Sequence, residues 1–436
     1  MLSAMPKHPQ SVKTSLWRKP WLYLGLVALL VLAAVILYNT PGIHERAVYH
    51  IAVWRGKIFY FFNPPSATTF DPIGQATPEA SAALPPTATS LPTESPVPSA
   101  TPLIPPSPTI VPTALPPRVE LGNIVLQPQA FNNCGPATLS MNLSFWGWEG
   151  YQSDIQKVIK PRLEDLSVTP EELVEFVNTQ TSYRALLRYA GDLALVKRFV
   201  AAGIPVLVER GYYIPSDGWM GHFGVINGFD DEAQTVHIPD SFSGIIDFKY
   251  SDLELYWAQF FNTFIVVYPP EREAEVLDLL GAQADQAASL QQALELSIQR
   301  AERETGREQY FAVFNQGVIL SLQGKYPEAA AAFDQAFGLY RELYEEDRPW
   351  RLIWYQEYPY IAYYNTGRYQ DVVNLATVTI DATPNKGLPE SYLWMGRAQA
   401  ALGQESTAAF NFKRALTWHP NWAPTLAELE KLGVEP

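Results

Sequence analysis

The stretch "QPQAFNNCGPATLSMNLSFWGW", Gln127 to Trp148, holds Cys134, the single cysteine among 436 residues. One cysteine closes no disulfide within its own chain, so its use is packing or chemistry. The sequence around it reads as a helix start. Asn133 suits a cap, Pro136 suits the first turn, and Ala137, Leu139, Met141, Leu143 and Phe145 follow as apolar surface. A thiol at that position has the helix dipole and free amide N–H groups beside it, which favour the thiolate.

Thiolate chemistry also needs a base. Of six histidines, His8 falls near the N-terminus, His44 and His50 follow an apolar run, and His419 falls in a helical repeat. That leaves His222, in "WMGHFGVINGFD", and His237, in "TVHIPD". Two strands folded about residue 231 set position 222 opposite position 240, which is Asp240. Alternation then puts Val236, Ile238 and Asp240 on one face and His237 on the other, as an outer polar residue. Asp230 and Asp231 read as turn formers. A nucleophile at a helix start, a base on a strand and an orienting acid make a Cys-His-Asp triad: Cys134, His222, Asp240.

Nothing in spacing brings Cys134 to His222, and a family resemblance supplies that step. "Q-x4-CGPA", "GHFGVINGFDD" and "IPDS" resemble the papain-like cysteine peptidases of the bacteriocin-processing (double-glycine leader) family, and more closely their stand-alone bacterial relatives. The resemblance spans about 119–270 and keeps the order Cys, His, Asp. It implies that Cys134 is nucleophile, His222 base then acid, and Asp240 the orienting group. It also implies that Gln129 donates to the oxyanion, with Gln127 as the alternative. Such a donor beside the Cys134 N–H makes a two-donor hole.

Outward from the site, the segment 118–270 reads as helices first and antiparallel strands after, an α+β papain-like peptidase domain. Expected strands are 204–210, 222–229, 235–240, 244–250 and 263–269. The loop 210–220, "RGYYIPSDGWM", reads equally as a cleft loop or plain surface. Residues 272–436 read as helical with internal repeats. Gly317, Gly324, Tyr326, Ala329, Phe333 and Ala336 share offsets with Gly396, Gly403, Ala408, Phe412 and Ala415, and a degraded copy carries Gly367, Tyr369 and Pro384. These spacings resemble the tetratricopeptide repeat, two antiparallel helices per unit. An aromatic insert, "YEEDRPWRLIWYQEYPYIAYY", lengthens the first spacing.

Before the peptidase segment the chain changes character twice. Residues 21–38 carry no charge over about 18 positions, the length of a transmembrane helix. Lys7, Lys13, Arg18 and Lys19 precede it, which places residues 1–20 in the cytoplasm and the catalytic domain outside, on a single-pass cell-membrane anchor. A cleaved signal peptide is the alternative. Residues 39–62 read as a juxtamembrane amphipathic segment. Residues 63–117 are rich in Pro, Ser and Thr and read as a disordered linker or stalk.

A formal net charge of −14 with no basic stripe excludes a nucleic-acid partner. No metal cluster or cofactor is expected. The function expected is a membrane-anchored extracytoplasmic cysteine peptidase acting on a peptide or protein, its repeats binding a protein partner or substrate. A catalytically silent peptide-binding scaffold, or an amidase or acyl transferase on cell-wall peptides, is the alternative.

Overall fold

The computed structural model describes residues 20–38, 41–63, 115–214 and 218–436. The expected cytoplasmic N-terminus and nearly all of the Pro/Ser/Thr-rich linker lie outside the described residues, as do positions 215–217 of the 210–220 loop. The chain divides into two compact units, Met1–Ile58 and Phe59–Pro436.

The first unit holds helix α1 (Pro20–Tyr38) and the greater part of α2 (Pro41–Phe62). The expected transmembrane helix needs correction here. Its 19 residues rise about 28 Å at 1.5 Å each, against a hydrocarbon core of about 30 Å. Among the described residues no helix is long and apolar enough to cross a membrane.

The second unit opens with β1 (Arg118–Glu120), then α3 (Cys134–Phe145), α4 (Gln152–Ile159) and α5 (Pro170–Gln180). Helix α5 starts on the capping box that Thr169 and Glu172 make with each other's backbone. Helix α3 is central, with Gly135 through Leu143 all buried, and its polar members Thr138, Ser140 and Asn142 are hydrogen-bonded there. Next come β2 (Arg184–Arg188), α6 (Leu193–Ala201), β3 (Val206–Ile214), β4 (Gly218–Ile226), β5 (Gly228–Asp230), β6 (Thr235–Asp240), β7 (Gly244–Lys249), α7 (Tyr250–Ala258) and β8 (Phe264–Tyr268). The strands form two four-stranded antiparallel sheets, in the orders β2-β8-β3-β4 and β1-β5-β6-β7. Alternation along β3 feeds two cores: Leu207 packs with Leu139, Phe223 and Ile265, while Val206 and Val208 pack with Val196, Phe199 and Trp257.

The expected 222–240 hairpin does not form as one ladder. Asn227 interrupts it, so β4 stays in one sheet and β5 starts the other. Gly228 pairs with His237 and Asp230 with Thr235, so the turn is centred beyond residue 231 and the register differs from the expected one. The Asn227 side chain donates to Leu121 O at 2.7 Å and its N–H to His237 O at 3.1 Å, which holds the break.

The rest is helical: α8 (Glu273–Leu280), α9 (Gln286–Arg303), α10 (Gly306–Leu322), α11 (Tyr326–Glu342), α12 (Leu352–Tyr355), α13 (Tyr358–Asn365), α14 (Tyr369–Asp381), α15 (Pro389–Ala401), α16 (Glu405–Trp418) and α17 (Ala423–Lys431). Two of the helix pairs pack alike. A Cβ on Gly317 would lie 2.6 Å from Phe333, and one on Gly396 would lie 2.5 Å from Phe412. Both glycines therefore admit a phenyl ring from the next helix. Turn glycines Gly324, Gly367 and Gly403 share φ of 73°, 76° and 76°, the left-handed region that ends a helix.

Candidate active site

Cys134 is the first residue of α3 and half-buried. Its helix presses close on β4. A Cβ on Gly135 would meet Val168 at 3.3 Å and Phe223 at 3.5 Å, so a larger residue would lift the thiol away from the strand. Asn133 occupies the cap position but does not cap with its side chain, contrary to expectation. Its Nδ2 donates instead to Gln152 Oε1 at 2.8 Å, because Gln152 braces this loop and also accepts from Ala130 N–H.

His222 lies within β4, 4% exposed, and Asp240 at the end of β6, 1% exposed. They meet across the two sheets, with His222 Nε2 2.8 Å from Asp240 Oδ2. The second ring nitrogen is not used by Asp240, and the Cys134 thiol acts on the ring from nearby. The far oxygen of Asp240 accepts from the N–H groups of Phe242 and Ser243 at 2.9 and 2.8 Å.

Charge follows from these contacts. Burial pushes the Cys134 thiol up, but the His222 hydrogen bond and charge, the Phe223 N–H and Lys160 together bring it below its ordinary value. Burial works against a charged His222, yet the Asp240 carboxylate and the bond to Cys134 push its imidazolium up to about 9. Asp240 is held well below the usual carboxylate range: burial opposes ionisation, and His222, Arg210 and the Ser243 N–H outweigh it. The arrangement can hold a thiolate beside an imidazolium.

The two glutamines differ. Gln127 is buried and engaged at both ends: its Nε2 donates to Ser140 Oγ at 2.8 Å, and its Oε1 accepts from Gln152 N–H at 3.2 Å. Gln129 keeps solvent access, and its Oε1 accepts from Ser241 Oγ at 2.9 Å, which leaves Nε2 as its donor. His237 stays outside the site, bonded to Asp247 at 2.9 Å. Asp230 caps its turn through the N–H groups of Glu232 and Ala233, as expected. Asp231 is more than a solvated turn residue, since it binds Lys197 and accepts from Tyr250 Oη at 2.9 Å.

Sequence reasoning missed Arg210. It is the cross-strand partner of His222, fully buried, and its Nη2 lies 3.1 Å from the same Asp240 oxygen that His222 uses. The Tyr212 and Phe248 rings sandwich its guanidinium at 5.0 and 4.8 Å. An arginine in a strand-like run, directly before the "GYY" loop, was the available signal. Ser241, directly after Asp240, was missed as well.

Among known proteins, the family model for the Peptidase C39 like family matches residues 121–265. No curated protein matches the chain. Similar solved structures include a C39-like peptidase from Bacillus anthracis, with 16% identity and a TM-score of 0.28 over 35% of this chain and 97% of that one. Another is a double glycine motif protease from an AMS/PCAT transporter, in complex with the leader peptide (14%, 0.27, 35% and 94%). A third is xylellain, a cysteine protease from Xylella fastidiosa (14%, 0.26, 35% and 86%). Residues 121–265 thus match the Peptidase C39 like family, and that match supports a cysteine peptidase over this segment.

Proposed function

We propose that the protein hydrolyses peptide bonds through Cys134, His222 and Asp240, with Gln129 as oxyanion donor. The observation that carries this is His222, buried and bonded to Asp240 through Nε2 at 2.8 Å, with the Cys134 thiol close enough at the start of α3 to raise its imidazolium. The thiolate Sγ attacks the scissile carbonyl carbon. Charge on the carbonyl oxygen falls to the Cys134 N–H and Gln129 Nε2. The His222 imidazolium gives its proton to the departing amine, leaving a thioester. His222, now neutral, takes a proton from water as its oxygen attacks the thioester carbon. Release of the acid restores thiolate and imidazolium.

The test is thiol labelling of the full chain with a peptidyl electrophile at pH 6–7, then cleavage of a peptide library. Wild type should label quickly, and His222→Ala should label at least about tenfold more slowly. Equal rates for the two proteins would overturn the assignment. Cleavage should vanish in Cys134→Ala.

The reading extends to the other parts of the chain. The paired helices of 306–418, with repeated Gly-on-Phe packing, support tetratricopeptide-type repeats that engage a protein partner or substrate. The four cations ahead of the apolar residues 21–38 suit an exported chain, which puts the peptidase unit outside the cytoplasm without a retained crossing helix. Protease added to intact cells should then digest the peptidase, and its protection until lysis would reject that location.

A further inference from the structure

Helix α4 braces the loop that leads into Cys134, and it does so from both of its ends. At its first residue, Gln152 Oε1 accepts from Ala130 N–H and Asn133 Nδ2, both at 2.8 Å, while Nε2 donates to Pro128 O at 2.8 Å. At its far end Lys160, fully buried, donates from Nζ to Asn132 O at 2.6 Å and to Asp165 O at 2.7 Å. Asn132 stands two residues before the thiol with a φ of 52°, in the left-handed region that few side chains adopt unaided. The Lys160 bond to its carbonyl holds that turn, and with it the start of α3.

The segment after Lys160 returns to the same helix. Val168 lies 3.3 Å from where a Cβ on Gly135 would stand, so residues 160–168 touch the chain on both sides of Cys134. Between those two contacts the segment is bonded to the helical part. Leu166 N–H donates to Gly387 O at 3.0 Å, and Asn385 Nδ2 donates to Glu164 O at 2.9 Å. Asn385 Oδ1 also accepts from Gly387 N–H at 3.2 Å, which shapes the turn between α14 and α15. A Cβ on Gly387 would run into Glu164 O, so only glycine permits this approach. Asp165, 1% exposed, has Oδ2 3.9 Å from Nδ1 of His419, which follows α16.

Electrostatics agrees with this geometry. Lys160 is one of the groups that bring the Cys134 thiol below its ordinary value. Burial works against the Lys160 charge, and Asp165, Cys134, Glu172 and Glu390 favour it. Residues 385–387 lie outside the segment 121–265 that matches the family model, so the contact belongs to the joining of the two parts.

We propose that Lys160 is a positioning residue for Cys134, and that the 385–387 turn of the helical part holds it in place. The inference rests on the peptidase reading above, because it takes Cys134 as the reactive thiol. Displacing the turn shifts Glu164 to Leu166, then the Asp165 carbonyl that Lys160 bonds, then Asn132 and the thiol. The reactivity of the peptidase lobe is thereby set across its junction with the repeats.

The measurement is the rate of Cys134 alkylation by iodoacetamide in the full chain, from about pH 5 to about pH 9, with a urea midpoint for each variant. Lys160→Met removes both the donor and the cation. It should slow alkylation near neutrality by about tenfold and move the rising limb of the profile to higher pH. Gly387→Ala alters no residue of the site, and should slow alkylation about threefold with the limb moved the same way. Gly396→Ala, which crowds Phe412 inside the helical part, should lower the urea midpoint and leave alkylation unchanged. An unmoved limb in Lys160→Met, whatever its urea midpoint, overturns the positioning. A limb moved by Lys160→Met but not by Gly387→Ala rejects the role of the turn, as does equal slowing in Gly396→Ala. His222→Ala separates the two readings. If it alkylates as fast as wild type, the peptidase reading fails. If it is slow while Lys160→Met and Gly387→Ala match wild type, the positioning alone fails.

Discussion

His222 and Arg210 share one oxygen of Asp240, and that sharing governs the pH behaviour expected of the site. The thiol is lowered and the imidazolium raised to about 9, so activity should be present near neutrality and fall as pH rises through about 9. Removing the Arg210 cation removes a positive charge from beside the imidazolium. Arg210→Met should therefore move the falling limb of the kcat/KM profile to higher pH, while Arg210→Lys restores most of it; an unmoved limb would reduce Arg210 to packing. Asp240→Ala strips the partner from a buried guanidinium, and should cost about 3–5 kcal/mol, read as a lower urea midpoint. The sign for stability follows the shifts. Asp240, held low, contributes above the ordinary carboxylate range and loses that contribution as pH falls. His222, raised, contributes fully below about 6.5, its unfolded value, and loses it through about 9. Gln129→Ala should lower kcat by about 10²–10³ with alkylation of Cys134 unchanged. Ser241→Ala frees the Gln129 amide to rotate and should show a smaller loss of the same kind, rescued by Ser241→Thr.

At the scale of elements, close approach decides more than propensity does. The glycines at 317 and 396 sit where Phe333 and Phe412 press between helices, so Gly396→Val should cost about 1–3 kcal/mol by forcing Phe412 out. A melting curve checks this against Gly338→Val, where the space is open but for an Arg341 tip at 3.9 Å. The sequence placed β6 at its observed bounds and α3 at its observed start, because strand alternation and a proline in the first helical turn act locally. It missed β2, whose "RALLR" has little alternation, and it misread the route from His222 to Asp240. A hairpin drawn on paper assumes one continuous ladder, whereas Asn227 hands the chain from one sheet to the other. The two side chains still meet, because the sheets fold over each other at that break.

Across the whole of the second unit the apolar core is continuous. Phe223, Phe260 and Trp219 of the peptidase lobe belong to the same cluster as Phe311, Phe314 and Tyr363 of the helical part. Cutting at residue 270 would expose that surface to water. Calorimetry of the full chain should therefore show residues 118–436 melting in a single transition, and the fragment 118–270 should aggregate or bind a hydrophobic dye. Two separated transitions would argue instead for independent domains, as the separate sequence signatures had implied.

What the sequence determined by itself was chemistry and periodicity. A lone cysteine at a helix start, two histidines in a β-rich segment and glycines at repeating offsets all express short-range constraints, and those survive without coordinates. Tertiary structure alone decided what those groups touch. Arg210 entered the site, Gln127 was taken up by Ser140 and Gln152, and an insert that read as a spacer set Tyr355 beside Gly221. Some of these contacts join positions more than a hundred residues apart, as Tyr355 and Gly221 or Arg351 and Trp219 do, and the energies of all of them depend on burial and distance that no local pattern encodes.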